Sequence, residues 1–195
     1  MPASAVKVGV SYVKATETPS KTKFNDVSAN DWFASAVDYV TGKGMMNGTA
    51  DNTFSPKANT TRGMVVTVLY RLENQPSTSA ASFTDVASGA YYANAVAWAN
   101  ANGIVSGYGS GKFGPNDKVT REQLAAILYR YAQYKKYDVS GAKSLDGYTD
   151  AQSVSSYAVP ALQWANAVGV VTGKSGNKLD PKGNATRAEV AAMLM

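Results

Sequence analysis

The stretch "NATRAEV", Asn184–Val190, is the clearest local signal in the chain, and it marks the start of a helix. The hydroxyl of Thr186 can accept a hydrogen bond from the backbone N–H of Glu189, whose side chain can reach back to the backbone of the threonine. This capping-box pattern recurs as "KVTREQL" (residues 118–124) and, without the acidic or amide residue, as "NTTRGMV" (residues 59–65). The sequence therefore predicts helices that start after Thr61, Thr120 and Thr186.

These three stretches belong to a unit that occurs three times along the chain. The arginines after the threonines are separated by 59 and 66 residues, and upstream prolines and glycines follow the same offsets. Each unit opens with an aromatic residue, one further residue and an aspartate, written "FND", "FTD" and "YTD". The equivalent positions are Arg62, Arg121 and Arg187; Pro56, Pro115 and Pro181; Gly48, Gly107 and Gly173; and Asp26, Asp85 and Asp150.

Each unit is also predicted to contain a helix before the threonine-capped one, because apolar residues recur at helical spacing before a glycine that can end the helix. The ending glycines are Gly44, Gly103 and Gly169. The predicted buried faces of these first helices are Trp32, Ala36, Tyr39 and Val40; Tyr91, Ala95, Trp98 and Ala99; and Tyr157, Ala161, Trp164 and Ala165. The second helices are predicted to bury Val65, Val68, Leu69 and Leu72; Leu124, Ile127, Leu128 and Tyr131; and Val190, Met193 and Leu194.

Two short helices cannot bury such faces alone, so the three units are expected to share one core. We predict an all-α fold with irregular loops, in which three helix-loop-helix repeats form a pseudo-three-fold prism around a shared helical core. A single domain is expected over residues 24–195, after a linker or cloning remnant at 1–23. The predicted repeats are 24–74, 83–135 and 148–195, joined by connectors at 75–82 and 132–147.

Composition narrows the possible functions without choosing one. Of 195 residues, 45% are hydrophobic and 17% are charged, which suits a folded chain, and no apolar run reaches the roughly 18 residues needed to cross a bilayer. Cysteine and histidine are both absent, so thiolate and imidazole chemistry is excluded, and no metal or cofactor is predicted. The net charge of +5 favours an anionic partner, although a solvated basic surface is an equally good explanation.

The repeated arginine stands at the first helical position, where a cation faces the positive end of the helix dipole. One explanation is structural: each arginine pairs with a nearby carboxylate, such as Asp26, Asp85 or Asp150. The other is functional: each arginine and the free N–H groups of its helix form an anion site for carboxylate or phosphate. Both could hold through opposite edges of one guanidinium.

The "FxD" openings, the segment "GIVSGYGSGKFGPNDKVTREQ" (residues 103–123) and the "TRAE" motif resemble S-layer homology domains over Phe24 to Met195. The resemblance implies a three-repeat module that anchors a secreted protein to the bacterial cell wall. Its implied ligand is an anionic secondary cell-wall polysaccharide, often with terminal pyruvylated N-acetylmannosamine, held in grooves between repeats. It also implies a monomeric module at the cell surface, fused to a larger protein and without membrane insertion.

The resemblance implies a set of ligand-binding residues. Arg62, Arg121 and Arg187 would meet the ketal carboxylate; Gly48, Gly107 and Gly173 would bring backbone close to the sugar; and Asp26, Asp85 and Asp150 would position the arginine or a sugar hydroxyl. Trp32 would line a groove. This sequence departs from the family pattern at "TRGM" in the first repeat and at Tyr91 and Tyr157, which stand where Trp32 does. The glycines have a second explanation, as turn positions that need positive φ.

Three other functions fit the sequence less well. An enzyme is disfavoured, because the candidate aspartates occur three times whereas an active site needs one asymmetric constellation, and no histidine is present. Nucleic-acid binding is disfavoured, since the tyrosines follow helical core spacing and no basic helix occurs. A structural surface-layer assembly module without direct glycan binding remains the main alternative. The sequence therefore predicts a non-catalytic, carbohydrate-binding cell-wall anchor.

Overall fold

In the part of the chain that the structure describes, six α-helices build the fold, two in each predicted repeat. The computed structural model describes residues 23–79 and 83–195; nearly all of the predicted N-terminal linker and residues 80–82 of the first connector lie outside them. The helices are α1 (Ala34–Gly42), α2 (Arg62–Leu72), α3 (Ala93–Ala101), α4 (Arg121–Tyr134), α5 (Val159–Ala167) and α6 (Arg187–Leu194). Over these described ranges the chain forms no strand, only isolated bridges, and the all-α prediction is confirmed.

The predicted helix boundaries follow local capping chemistry. Thr61, Thr120 and Thr186 are the N-caps of α2, α4 and α6, and each side chain accepts from the N–H three residues later. The capping box is complete at Thr120 and Thr186, as predicted. The first helices end before glycines in the left-handed region, with φ of 67°, 69° and 80° at Gly44, Gly103 and Gly169. In the third repeat Asp150 and Tyr157 are seven residues apart, against six for Asp85 and Tyr91, and two short 3₁₀ turns, Ala151–Ser153 and Ser156–Ala158, lie in this longer segment before α5.

Contacts between helices run from one repeat to the next. The main helix pairs are α2 with α3, α4 with α5, and α6 with α1. Each second helix therefore packs on the first helix of the following repeat, and the third repeat returns to the first. The packing closes a ring in which no repeat is independent of the other two.

A ring of backbone hydrogen bonds joins the three loops that precede the second helices. The N–H of Thr60 donates to the carbonyl of Ala185 (2.9 Å), that of Ala185 to Val119 (2.9 Å), and that of Val119 back to Thr60 (2.9 Å). All three residues are buried, at 1%, 0% and 0% exposure for Thr60, Val119 and Ala185. Each loop thus supplies one donor and one acceptor to its neighbours, so the ring leaves none of these buried amides unpaired.

The core agrees with most residues of the predicted faces but not with all of them. Trp98 and Trp164 are buried, as are Ala36, Val40 and most of the predicted second-helix residues. The prediction is wrong for Trp32, Tyr91 and Tyr157, which are 69%, 63% and 50% exposed, and for Tyr39 and Leu72, which are 40% and 39% exposed.

Trp32, Tyr91 and Tyr157 all lie before the first helices begin, which explains the error at these three positions. Helix α1 starts only at Ala34, so the helical period does not extend back to Trp32. The next residue, Phe33, is buried instead, and the exposed indole packs edge-on against it with ring centroids 5.3 Å apart. Tyr91 packs in the same way on Tyr92, at 4.9 Å. The ordered aromatic side chains are therefore left at the surface beside the junctions between repeats.

One buried hydroxyl in the central ring is predicted to reduce stability. Thr60 Oγ1 has no hydrogen-bond partner among the described residues, whereas the equivalent residues Val119 and Ala185 are apolar. We expect Thr60→Val to raise the free energy of unfolding by about 1 kcal/mol, because a buried hydroxyl without a partner is replaced by a methyl group of the same shape. Urea unfolding monitored by circular dichroism measures the change.

Thr67→Val is the matched control for this prediction. Thr67 is also buried, but its Oγ1 donates to the carbonyl of Gly63 at 2.7 Å. The same substitution there should leave stability unchanged or lower it. Equal stabilisation by both variants would contradict the assignment of Thr60 as an unsatisfied group.

Candidate functional site

The three repeated arginines are buried at the first position of α2, α4 and α6. Arg62, Arg121 and Arg187 are only 6%, 4% and 7% exposed. Each guanidinium extends from its own repeat into the loop of the following repeat, where it bonds backbone carbonyls. The bonds are Arg62 Nε to Phe113 O (3.1 Å) and Nη2 to Ser106 O (2.9 Å), Arg121 Nε to Leu179 O (2.8 Å) and Nη2 to Thr172 O (3.0 Å), and Arg187 Nε to Phe54 O (2.8 Å) and Nη2 to Asn47 O (2.6 Å).

The N–H groups at the helix starts are also occupied by the neighbouring repeat. The backbone N–H of Arg62 donates to Asp117 O (2.9 Å) and that of Gly63 donates to Pro115 O (2.9 Å). The corresponding amides of α4 donate to Gly183 and Pro181, and those of α6 to Ala58 and Pro56. Threonine side chains take the third N–H of each helix. The expectation that free helix N–H groups complete an anion site is therefore wrong, because loop carbonyls already occupy them.

The repeated aspartates bind the same loops from within their own repeat. Asp85 Oδ1 accepts from Phe113 N and Oδ2 from Gly114 N, both at 2.8 Å. Asp26 accepts from Phe54 N (2.8 Å) and Ser55 N (2.7 Å), and Asp150 from Leu179 N and Asp180 N (both 2.8 Å). The expected pairing of each arginine with an aspartate is replaced by a shared contact: the aspartate holds the N–H, and the arginine the carbonyl, of one loop residue.

The repeated glycines are required by close packing and not by a positive φ. None of Gly48, Gly107 and Gly173 has positive φ, so that explanation is wrong for them. A Cβ at Gly107 would lie 2.5 Å from Lys112 O and 2.7 Å from the ring of Phe83. The same conflict arises with Phe24 at Gly48 and with Tyr148 at Gly173. The glycine lets the loop pass over the aromatic residue that opens its repeat.

Two grooves lie at equivalent junctions between repeats. The Arg121 groove, of about 540 Å³, contains Arg121 from the second repeat, Gly173, Lys174 and Glu189 from the third, and Trp32 from the first. The Arg62 groove, of about 260 Å³, is lined by Arg62, Gly107, Tyr108, Gln123, Arg130 and Tyr157. Each groove thus combines an arginine, a repeated glycine and an exposed aromatic residue from three different repeats.

The electrostatics of the two grooves differ. In the Arg121 groove, Glu189 Oε1 lies 2.9 Å from Arg121 Nη1 and 3.0 Å from Lys174 Nζ. Burial acts to raise the pKa of Glu189, but hydrogen bonds from Thr186 and Lys174 and the two positive charges outweigh it, so the pKa lies below its ordinary value.

In the Arg62 groove the guanidinium is stacked over aromatic rings, 4.5 Å from the centroid of Tyr108 and 4.6 Å from that of Phe113. Burial lowers the pKa of Arg62, while the neighbouring Tyr108 and Asp117 act in the opposite direction. Burial and the carboxylate of Glu122 raise the pKa of Tyr157 to about 12, so its phenol stays protonated and donates to Glu122. Among the described residues none that lines this groove carries a carboxylate, although Asp117 and Glu122 lie behind Arg62 and Tyr157.

The sequence identified the arginines, aspartates and glycines as one group but missed the residues that distinguish the grooves. Arg130 was not predicted, although it follows Gln123 by two helical turns on the same face of α4. Tyr108 and Lys174 stand at equivalent loop positions directly after the repeated glycine. Gln123 and Glu189 were predicted only as capping residues, although both also line grooves.

The three repeats match a known protein family. The family model of the S-layer homology domain matches residues 23–63, 82–125 and 147–191. Similar proteins include an amylopullulanase of Thermoanaerobacterium thermosulfurigenes, 35% identical over 88% of this chain and 9% of the relative. They also include a surface-layer 125 kDa protein of Lysinibacillus sphaericus (27% identical; 98% of this chain, 16% of the relative) and the S-layer protein sap of Bacillus anthracis (28%; 88% and 20%). The chain therefore spans a fifth or less of the length of these relatives.

Each repeated aspartate and the two loop amides that it binds form an amide clasp, and the contribution of this clasp to stability is predicted to depend on pH. Burial acts to raise the pKa of Asp85 and Asp150, but hydrogen bonds from two backbone amides outweigh it, so both pKa values are lowered. A lowered pKa contributes stability that is present above the unfolded value, about 3.9, and is lost as pH falls through the folded value. Asp85→Asn should therefore lower the free energy of unfolding at pH 7 by about 1 kcal/mol, and the difference should shrink at pH 3.

Urea unfolding at the two pH values tests this, with Asp51→Asn as the control. Asp51 is exposed, and the substitution removes the same charge without breaking an amide clasp. An Asp85→Asn variant as stable as the Asp51→Asn variant at pH 7 would show that the clasp contributes nothing.

The close approach at Gly107 gives a second stability prediction. Gly107→Ala should destabilise the fold by about 1–3 kcal/mol, because the new methyl group collides with a backbone carbonyl and an aromatic ring. Gly42→Ala is the control, since a Cβ there meets nothing within 4 Å and Gly42 ends a helix. Thermal and urea denaturation should separate the two variants; equal stability would rule out the steric role of Gly107.

Proposed function

Because the chain belongs to the S-layer homology domain family, we propose that it anchors a larger secreted protein by binding an anionic secondary cell-wall polysaccharide. Domains of this family are non-catalytic anchoring modules of the bacterial cell surface, and the enzymes among the relatives share this part alone. No helix within the described ranges is long and apolar enough to cross a membrane. The observation that carries the proposal is the pair of cationic grooves, each edged by an exposed aromatic residue.

The chemistry of the grooves suits a saccharide that carries negative charge. Exposed aromatic rings offer flat apolar surfaces to sugar rings, and arginines offer charge-assisted hydrogen bonds to carboxylate or phosphate. Trp32 and Tyr108 are 69% and 54% exposed beside the two grooves, and neither is needed to fill the core. A terminal pyruvyl ketal, which places a carboxylate on a sugar ring, is the ligand group we propose for these sites.

The roles of the predicted ligand residues are revised by this geometry. Arg62, Arg121 and Arg187 each hold the next repeat through two carbonyls, and only the remaining nitrogen of a guanidinium could meet a ligand, although that of Arg121 is already bonded to Glu189. The aspartates act indirectly, by holding the loops that form the groove walls. The repeated glycines shape the groove by allowing the loops to approach the opening aromatic residues.

A structural surface-layer role is the second candidate, favoured by the relatives that are named S-layer proteins. In that function the module would join neighbouring protein copies and would not need the wall polymer. The two candidates differ in what the purified chain binds, so the same experiment separates them.

We expect the purified chain to co-sediment with Gram-positive cell walls and to lose this binding after acid removes the secondary polymer. Free polymer should compete, and binding should weaken as salt increases, because the recognised groups are charged. Binding that persists on stripped peptidoglycan would contradict the polymer as ligand. Self-association without wall binding would favour the surface-layer role.

A matched pair of double variants tests the grooves. Trp32→Ala with Tyr108→Ala removes one exposed aromatic residue from each groove and should reduce wall binding several-fold. Tyr39→Ala with Tyr137→Ala removes two other exposed tyrosines, 40% and 60% exposed, outside both grooves and should leave binding unchanged. Equal behaviour of the two pairs would exclude the grooves as the binding surface.

A further inference from the structure

The two grooves differ most at one helical position. The third residue of the second helix is Met64 in the first repeat, Gln123 in the second and Glu189 in the third. In α4 and α6 this side chain performs the same capping function, accepting from the backbone N–H of Thr120 or Thr186. The two residues can therefore be exchanged chemically without loss of the cap, and their difference is available for another role.

Glu189 places a carboxylate inside the Arg121 groove. Its Oε1 lies 2.9 Å from Arg121 Nη1, the guanidinium nitrogen that is not bonded to a loop carbonyl. The same oxygen lies 3.0 Å from Lys174 Nζ, which is also 2.8 Å from Asp180 Oδ2. The glutamate side chain is only 10% exposed. An anion entering this groove meets two cations that already share a fixed, largely buried carboxylate.

Gln123 leaves the equivalent arginine free. Its Oε1 accepts from Thr120 N at 3.0 Å, so its remaining amide group is a donor and carries no charge. The Nε and Nη2 groups of Arg62 donate to carbonyls, and its Nη1 has no hydrogen-bond partner among the described residues. Arg130 likewise has neither a hydrogen bond nor an ion pair within residues 23–79 and 83–195, and it lines the same groove. Two arginines thus face a groove that no carboxylate of the described residues lines, and Asp117 acts on Arg62 without a direct ion pair.

The groove also holds its free arginine in a defined orientation. Stacking at 4.5 Å on Tyr108 and two carbonyl bonds fix the plane of the Arg62 guanidinium. Little side-chain entropy is then lost when an anion binds, which favours affinity. Tyr157, half exposed at the same groove, supplies an aromatic surface for the sugar that carries the anion.

The third junction, around Arg187, offers fewer hydrogen-bond donors to an anion. Met64 stands where Gln123 stands in the Arg62 groove, and a thioether supplies neither charge nor a hydrogen-bond donor. Arg71, the counterpart of Arg130, directs Nη1 to the carbonyl of Met45 at 3.5 Å.

We infer that the Arg62 groove is the principal site for an anionic saccharide, and that Glu189 acts as an internal anion that keeps the Arg121 groove closed to one. The inference rests on the proposed function for the identity of the ligand class. It assigns Arg130 and Gln123 as ligand-binding residues, beside Arg62. It assigns Glu189 as the residue that makes the grooves unequal.

Exchanging each residue for its counterpart tests the inference without removing a cap. Gln123→Glu introduces into the Arg62 groove the carboxylate that Arg121 already has, and Glu189→Gln removes that carboxylate from the Arg121 groove. The probe is the methyl glycoside of 4,6-pyruvylated N-acetylmannosamine, with neutral N-acetylmannosamine methyl glycoside as the control. Binding is followed by the NMR signals of the arginine Nε–H groups in the full chain, which report each groove separately.

In the unaltered chain we expect the charged probe to shift the Arg62 and Arg130 signals at lower concentration than the Arg121 signal. Gln123→Glu should weaken the Arg62 response by about tenfold or more, as expected for loss of a charge-assisted hydrogen bond. Glu189→Gln should bring the Arg121 response into the concentration range of Arg62. An Arg121 response equal to that of Arg62 in the unaltered chain, an affinity within twofold after Gln123→Glu, or no response of any arginine would overturn the inference.

Wall co-sedimentation of the same variants separates this inference from the proposed function. Walls bound equally by the unaltered chain and by the Gln123→Glu variant would overturn the groove assignment while anchoring stands. Walls left unbound by a chain whose Arg62 signal still responds to the charged probe would overturn anchoring while the groove preference stands. Lys43→Gln, which removes one positive charge outside both grooves, controls for net charge and should bind like the unaltered chain.

Discussion

The fold depends on a buried guanidinium that bonds two backbone carbonyls of the neighbouring repeat. A cation at a helix N-terminus is unfavourable by itself, and a buried cation without partners is more so. Here carbonyl oxygens surround it, and the flat guanidinium reaches both with separate nitrogens, as the single ammonium of a lysine could not. Because Arg62, Arg121 and Arg187 each do this for the next repeat in the ring, the loops, the helix starts and the grooves are positioned together.

Local structure could be predicted well from the sequence because its causes are local. Threonine caps and helix-ending glycines each depend on a few neighbouring residues, and both appear as predicted. Burial around the first helices was predicted less well. Trp32 precedes α1, so the helical period of the buried face does not reach it, whereas Tyr39 lies within α1 and is still exposed. Burial also depends on which surfaces another repeat covers. That information is spread over distant parts of the chain.

The site was predicted as a set of residues but not as a set of contacts. Most partners of the arginines and aspartates are main-chain atoms, which leave no trace in side-chain patterns. The expected arginine–aspartate pairs were therefore plausible and wrong: each pair meets through the N–H and the carbonyl of one loop residue. Glu189 illustrates a second limit, since its capping role is visible three residues away whereas Arg121, its ion-pair partner, is 68 residues distant.

Main-chain recognition also bears on how such a chain can change over evolutionary time. The carbonyls that receive the three Nη2 bonds belong to Asn47, Ser106 and Thr172, three different residue types in one structural role. A hydrogen bond to a backbone carbonyl does not depend on the side chain of the residue that supplies the carbonyl. The residues that face the grooves are thus free to diverge from repeat to repeat, so each junction of one duplicated frame can acquire a different groove surface while the architecture stays the same.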